Sequence, residues 1–124
     1  MVKCSPDTAL KAELKDILFD LVDLNSLAVE LEYQNHDTKN YRYWIRNSIS
    51  YVIAVRQILG AREDYKFPHF RYDYATVDEL QISTERVLSN YKKILLAYEK
   101  EVPELRELLN TIILCLTTTR EYAI

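Results

Sequence analysis

The sequence predicts an all-α protein: one domain over residues 1–124, built as an antiparallel four-helix bundle with one long aromatic loop between helices 2 and 3. Three observations carry this. Apolar residues recur at the three- and four-residue spacing of a single helix face in four separate stretches. The chain holds only one glycine and three prolines, too few turn formers for a β-sandwich or barrel. Apolar residues make up 48% and charged residues 28%, the balance of a globular rather than a disordered chain. A chain of 124 residues buries roughly two-thirds of the surface its unfolded form exposes, enough to fold without a disulfide or metal staple.

Each helix has its own start and stop signals. Ser5-Pro6-Asp7 reads as a cap, a first-turn proline and a first-turn acid. Leu10, Leu14, Ile17, Leu18, Leu21, Leu24, Ala28 and Leu31 then place helix 1 over about 6–33. The polar run Gln34 to Lys39 breaks the period and supplies Asp37 or Thr38 as the next cap. In helix 2, Tyr41, Trp44, Ile45, Ser48, Ile49, Val52, Val55 and Leu59 share a face, and the single glycine, Gly60, stands where a left-handed terminator is wanted. Residues 61–75 lack a helical period and contain Pro68, so they form the long loop. Thr76-Val77-Asp78-Glu79 is a capping box that starts helix 3, whose stripe runs from Val77 through Leu80, Thr84, Val87, Leu88, Tyr91, Ile94 and Leu95 to Tyr98. Pro103 ends that helix near Lys100 and opens either a fourth helix or a kink in one long one. Leu105, Leu108, Leu109, Ile112, Ile113 and Leu116 make the last apolar face.

Charge and aromatics are unevenly distributed along this frame. Residues 1–37 carry three Lys/Arg against eight Asp/Glu, 38–75 seven against three, and 76–124 six against eight. The basic middle third also holds nine of the 14 aromatic residues. A segment both basic and aromatic suits recognition of a macromolecule better than it suits a plain solvated surface. The candidates it offers are Lys39, Arg42 and Arg46 on helix 2, and Tyr65, Lys66, Phe67, His69, Arg71 and Tyr72 in the loop.

Several catalytic and cofactor classes are disfavoured. Glu13, Asp16, Asp20, Asp23 and Glu30 fall on one side of helix 1, but the chain has no Glu-x-x-His for a di-iron bundle. Of the paired acidic motifs of an all-α nucleotide pyrophosphohydrolase it has only Glu13-x-x-Asp16, so the row reads as a solvated acidic face. The only histidines, His36 and His69, fall in loops and cannot make a histidine-rich metal site within one subunit. Neither a Gly-rich phosphate loop nor a nucleophile elbow is present. Cys4 and Cys115 form no Cys-x-x-Cys pair and read as free thiols in a reducing interior. Residues 1–15 lack the apolar core of a signal peptide, and no apolar run approaches the length of a membrane span. The expectation is a cytoplasmic chain with no cofactor, no metal and no membrane partner.

Arg62 and His69 form Arg-x6-His, which resembles the Arg-x4-6-His motif of the HEPN ribonucleases, helical bundles that cleave RNA as dimers. The resemblance covers eight residues and implies Arg62 and His69 as its RNA-cleaving pair. Pro68, directly before His69, departs from the helix on which that family carries its histidine. The scarcity of glycine and the ten tyrosines also resemble the composition of small viral or archaeal accessory proteins.

Tyr43, Ile53, Ile82, Leu96 and Leu114 point away from the main stripes of their helices, more apolar surface than one bundle buries, which predicts a homodimer or a partner interface. The function expected is that of a non-catalytic, oligomeric helical-bundle interaction protein using helix 2 and the loop 61–75. A small RNA- or nucleotide-binding regulator is the alternative, and a HEPN-type ribonuclease the third.

Overall fold

The computed structural model describes residues 5–62 and 75–124. These form α1 (Pro6–Tyr33), α2 (Lys39–Ile58), α3 (Val77–Tyr98) and α4 (Arg106–Glu121), the last entered through a short 3-10 helix at Pro103–Leu105. No strand occurs among the described residues. None of the helices is long and apolar enough to cross a membrane.

The helix ends follow the local chemistry of the sequence. Ser5 Oγ accepts from the Thr8 N–H at 3.2 Å, with Pro6 filling the first helical position. Asn35, at φ 70°, closes α1: its N–H donates to the Glu32 carbonyl and the next N–H, of His36, to that of Leu31, both at 3.0 Å. The start of α2 divides its cap between two residues. Asp37 Oδ1 accepts from the Lys39 N–H at 3.1 Å, while Thr38 Oγ1 donates to the Ala28 carbonyl at 3.0 Å and ties the turn to α1. Thr76 Oγ1 accepts from the Glu79 N–H at 3.1 Å to begin α3.

Gly60, at φ 93°, ends α2 with the same paired bonds, from its own N–H to Gln57 and from Ala61 to Arg56. A Cβ added there meets nothing within 4 Å, so only the backbone conformation resists substitution. Gly60→Ala is expected to lower stability by about 1 kcal/mol, read as a shifted denaturation midpoint with unchanged slope.

At Pro103 the chain turns back rather than kinking. Val102 and Leu105 are buried there, and α4 returns along α3, with Glu85 and Arg120 3.6 Å apart and the Gln81 amide donating to the carbonyls of Ala123 and Ile124. Helix α1 packs on α2 and α3, and α4 packs on the same two, so the order around the bundle is α1, α2, α4, α3. Neighbours are antiparallel throughout. Arg56 Nε, late in α2, donates to the Lys11 carbonyl early in α1 at 3.1 Å. Glu13, early in α1, lies beside Tyr98 at the end of α3, while Asp23 lies near Arg86.

Helices α2 and α3 therefore run parallel across the diagonal, and the first turn of α2 meets α3 about two turns in, where Tyr41 and Thr84 hydrogen-bond at 2.7 Å. The end of α2 and the start of α3 lie at opposite ends of the bundle, roughly 30 Å apart for a helix of this length. A tight turn cannot join parallel helices. The length of the connection is thus already required by topology, whatever else residues 61–75 do.

The core is a single cluster along the bundle axis, including Leu14 and Leu21 of α1, Ile45 and Val52 of α2, Leu80 and Leu88 of α3, and Leu109 and Ile112 of α4. Two tyrosines supply its polar cross-links. The Thr84 hydroxyl donates to the Leu80 carbonyl at 2.6 Å, which leaves Tyr41 as donor to Thr84. Tyr91 donates to the Leu109 carbonyl at 2.5 Å, joining α3 to α4.

Candidate partner-binding surface

Helix α2 contains four basic residues and no acidic one. Its inward face is taken by Tyr41, Ile45, Ser48, Val52 and Val55, which leaves Lys39 and Arg46 on the outward side, exposed, with Arg42 rotated toward α1. Arg42 pairs with Glu32, and its Nε is buried without a hydrogen-bond partner among the described residues. Lys39 and Arg46 make no ion pair among the described residues. Arg42 is tied to α1, but to Glu32 and not to the acidic row, while the other two cations point to solvent.

The acidic row faces elsewhere. Glu13, Asp16 and Asp20 line a groove against Asn90, Lys93 and Ala97 of α3, on the side of the bundle opposite the α2–α4 face. Burial pushes the Asp20 and Asp23 carboxyls up, against the opposing pull of Arg86. No three His, Cys, Asp or Glu among the described residues come together as a metal site.

A second groove lies between α2 and α4, lined by Tyr43, Trp44, Asn47, Tyr51, Thr111, Leu114, Cys115 and Thr118. It has no charged wall, because α4 carries no charge between Leu108 and Thr119. Tyr43 and Trp44 meet edge to face at 5.3 Å, which holds the aromatic wall in place. The polar residues turn their donors inward. The Asn47 amide donates to the Tyr43 carbonyl at 3.1 Å, Thr111 to Glu107 at 2.9 Å and Thr118 to Leu114 at 2.8 Å. What the two threonines then offer is largely methyl, and the polar groups of the lining are the Asn47 amide, the Tyr43 and Tyr51 hydroxyls and the Trp44 indole N–H. Cys115 is buried and its thiol pushed up by desolvation, so it sits there as a small hydrophobe rather than a thiolate.

The off-stripe apolar residues separate into three groups. Tyr43 and Leu114, 61% and 67% exposed, both border this groove, which continues into Lys39, Arg42 and Arg46 through Tyr43. Ile82 and Leu96 are 67% and 74% exposed on the outward side of α3, about 21 Å apart along the helix, with exposed Ser89 between them. Ile53 does not point away: it is half-buried against the core, because it lies on the side of α2 turned toward α1. Trp44, expected on the buried stripe, is half-buried and forms a groove wall instead.

Of the loop candidates, Tyr65, Lys66, Phe67, His69, Arg71 and Tyr72 lie outside the described residues, as does the histidine of the Arg62/His69 pair. Arg62 itself is exposed beyond the end of α2. Of the α4 wall of the groove, Leu114 is legible in the sequence as an off-stripe residue and Cys115 only as a free thiol, while Thr111 and Thr118 are not singled out there, although the charge-free run from Leu108 to Thr119 signals them. Comparison with protein-family models, with curated proteins and with solved structures finds no match to the chain.

Proposed function

We propose that this protein is a non-catalytic interaction module that binds a macromolecular partner through the outward face of α2, with the basic-aromatic segment 61–75 as a second contact. The observation that supports this most is the pairing of Lys39 and Arg46, which make no ion pair among the described residues, with a charge-free aromatic groove between the same helix and α4. Neither feature is used to hold the bundle together. Tyrosine, tryptophan and arginine, the residue types of Tyr43, Trp44 and Arg46, are those enriched at binding hot spots. The RNA-binding alternative would draw on Lys39 and Arg46 together with Lys66 and Arg71, and with Arg42 committed to Glu32 that is a small set for sequence-independent phosphate binding.

The test is charge reversal on the exposed positions alone. Lys39→Glu with Arg46→Glu is expected to weaken capture of the cellular partner by at least about tenfold while leaving the helical circular dichroism intact. Alanine at Tyr65, Lys66 and Arg71 is expected to weaken it through the second contact. Single-stranded RNA bound by the parent chain, with affinity falling steeply between two salt concentrations, would instead establish the regulator. RNA cleavage lost in His69→Ala would establish the nuclease.

A further inference from the structure

The groove between α2 and α4 has a shape and a charge pattern that together specify an occupant. From Tyr43 to Tyr51 it runs eight residues of α2, about 12 Å or just over two helical turns. That length matches anchors at i, i+3 or i+4, and i+7 on a docked helix. Its walls are largely apolar: Asn47, Thr111 and Thr118 donate back to their own helices, and the aromatic wall offers the Tyr43 and Tyr51 hydroxyls and the Trp44 indole N–H as its polar handles. On its α2 side stand Lys39 and Arg46, with no carboxylate on that helix to neutralise them.

We propose that this groove seats an amphipathic helix of an acidic protein partner, its apolar face against Tyr43, Tyr51 and Leu114 and its carboxylates toward Lys39 and Arg46. The inference rests on the interaction-module reading above and adds the chemical class of the partner. Nucleic acid is the poorer fit, because among the described residues only Lys39 and Arg46 stand at the groove to meet a phosphate backbone that takes most of its affinity from many such contacts. A second copy seated groove to groove is also poorer, because two concave surfaces do not fill one another. A helix supplies the convex apolar ridge that the groove lacks, and it carries its own backbone hydrogen bonds, so little polar surface is left unsatisfied on docking.

The probe is a fluorescent, leucine-faced helical peptide of about 18 residues with glutamates on its flanks, beside a twin carrying lysines in their place. Binding to the full chain is read by anisotropy at physiological salt. The acidic peptide is expected to bind about tenfold or more tightly than its twin. Leu114→Glu should weaken it by at least about tenfold, since it places a charge in the apolar wall. Lys39→Glu with Arg46→Glu should reverse the preference between the twins, while Ile82→Glu, on the outward side of α3, should change nothing. All four positions are exposed, so each variant is expected to keep the parent's helical signal.

Equal binding of the two peptides, indifference to Leu114→Glu, or displacement of the peptide by single-stranded RNA would each overturn the proposal. So would a dimer in sedimentation that Leu114→Glu splits, which would assign the groove to a second copy. If neither peptide binds but charge reversal on α2 still abolishes capture of the cellular partner, the helix-docking inference fails and the interaction-module reading stands.

Discussion

Replacing Tyr91 with alanine is expected to lower the unfolding free energy by about 3–5 kcal/mol, the usual cost of emptying a buried aromatic site. Tyr91 is fully buried in the second half of α3, and its hydroxyl reaches across to the Leu109 carbonyl of α4. The alanine variant loses the packing of the ring and the cross-link together. Domains of this size are held by about 5–15 kcal/mol, so a substantial unfolded fraction at room temperature is within reach. Tyr91→Phe keeps the ring and removes only the hydroxyl. Its cost is expected to be about 1 kcal/mol, because the Leu109 carbonyl retains its place in the helix ladder. Urea denaturation of the two variants separates packing from hydrogen bonding. Equal losses would show that the hydroxyl, and not the volume of the ring, holds α3 to α4.

Alkaline unfolding is the second large effect expected. Tyr41 and Tyr91 are both buried, and desolvation pushes both hydroxyls up from the ordinary tyrosine value. Each holds its proton more tightly folded than unfolded. Its contribution is therefore complete below about pH 10, the ordinary tyrosine value, and falls as pH rises above it. Each group removes about 1.4 kcal/mol per pH unit in that window, so the pair together removes about 5 kcal/mol by two units above its start. Denaturation midpoints measured from neutral pH upward should be flat and then fall steeply. The double variant Tyr41→Phe/Tyr91→Phe should be somewhat less stable at neutral pH and show a shallower alkaline limb. An unchanged limb in that variant would place the effect on other groups.

Much of the fold is legible in the sequence because it rests on local rules. The start of α1 at Pro6, the terminator at Gly60 and the cap at Thr76 each depend on neighbours within about one turn, and each forms at the expected residue. The alternatives left open at Asp37 and Thr38 have a tertiary answer. Asp37 makes the cap bond, whereas Thr38 is drawn to the Ala28 carbonyl ten residues back, a contact that no local rule contains. Pro103 is similar: its effect on the backbone is local, but only the packing of α4 against α3 makes it a reversal rather than a kink.

The candidate surface was half legible. The cations of α2 could be placed on its polar side by spacing alone, but which one pairs depends on Glu32 standing opposite Arg42 on the neighbouring helix. Helical periodicity likewise puts Tyr43 and Leu114 off their stripes, yet says nothing about whether they meet. What the sequence by itself determined is the helical class, nearly all of the helix ends, and most of the residues that turn inward, because hydrophobic period and capping act within a single element. The tertiary structure alone decided the order of the helices around the bundle, the parallel run of α2 and α3 across its diagonal, the reversal at Pro103, and the separation of the acidic and apolar grooves onto opposite faces. Those features arise from which helices lie side by side, and the contacts that select neighbours join residues far apart in the chain.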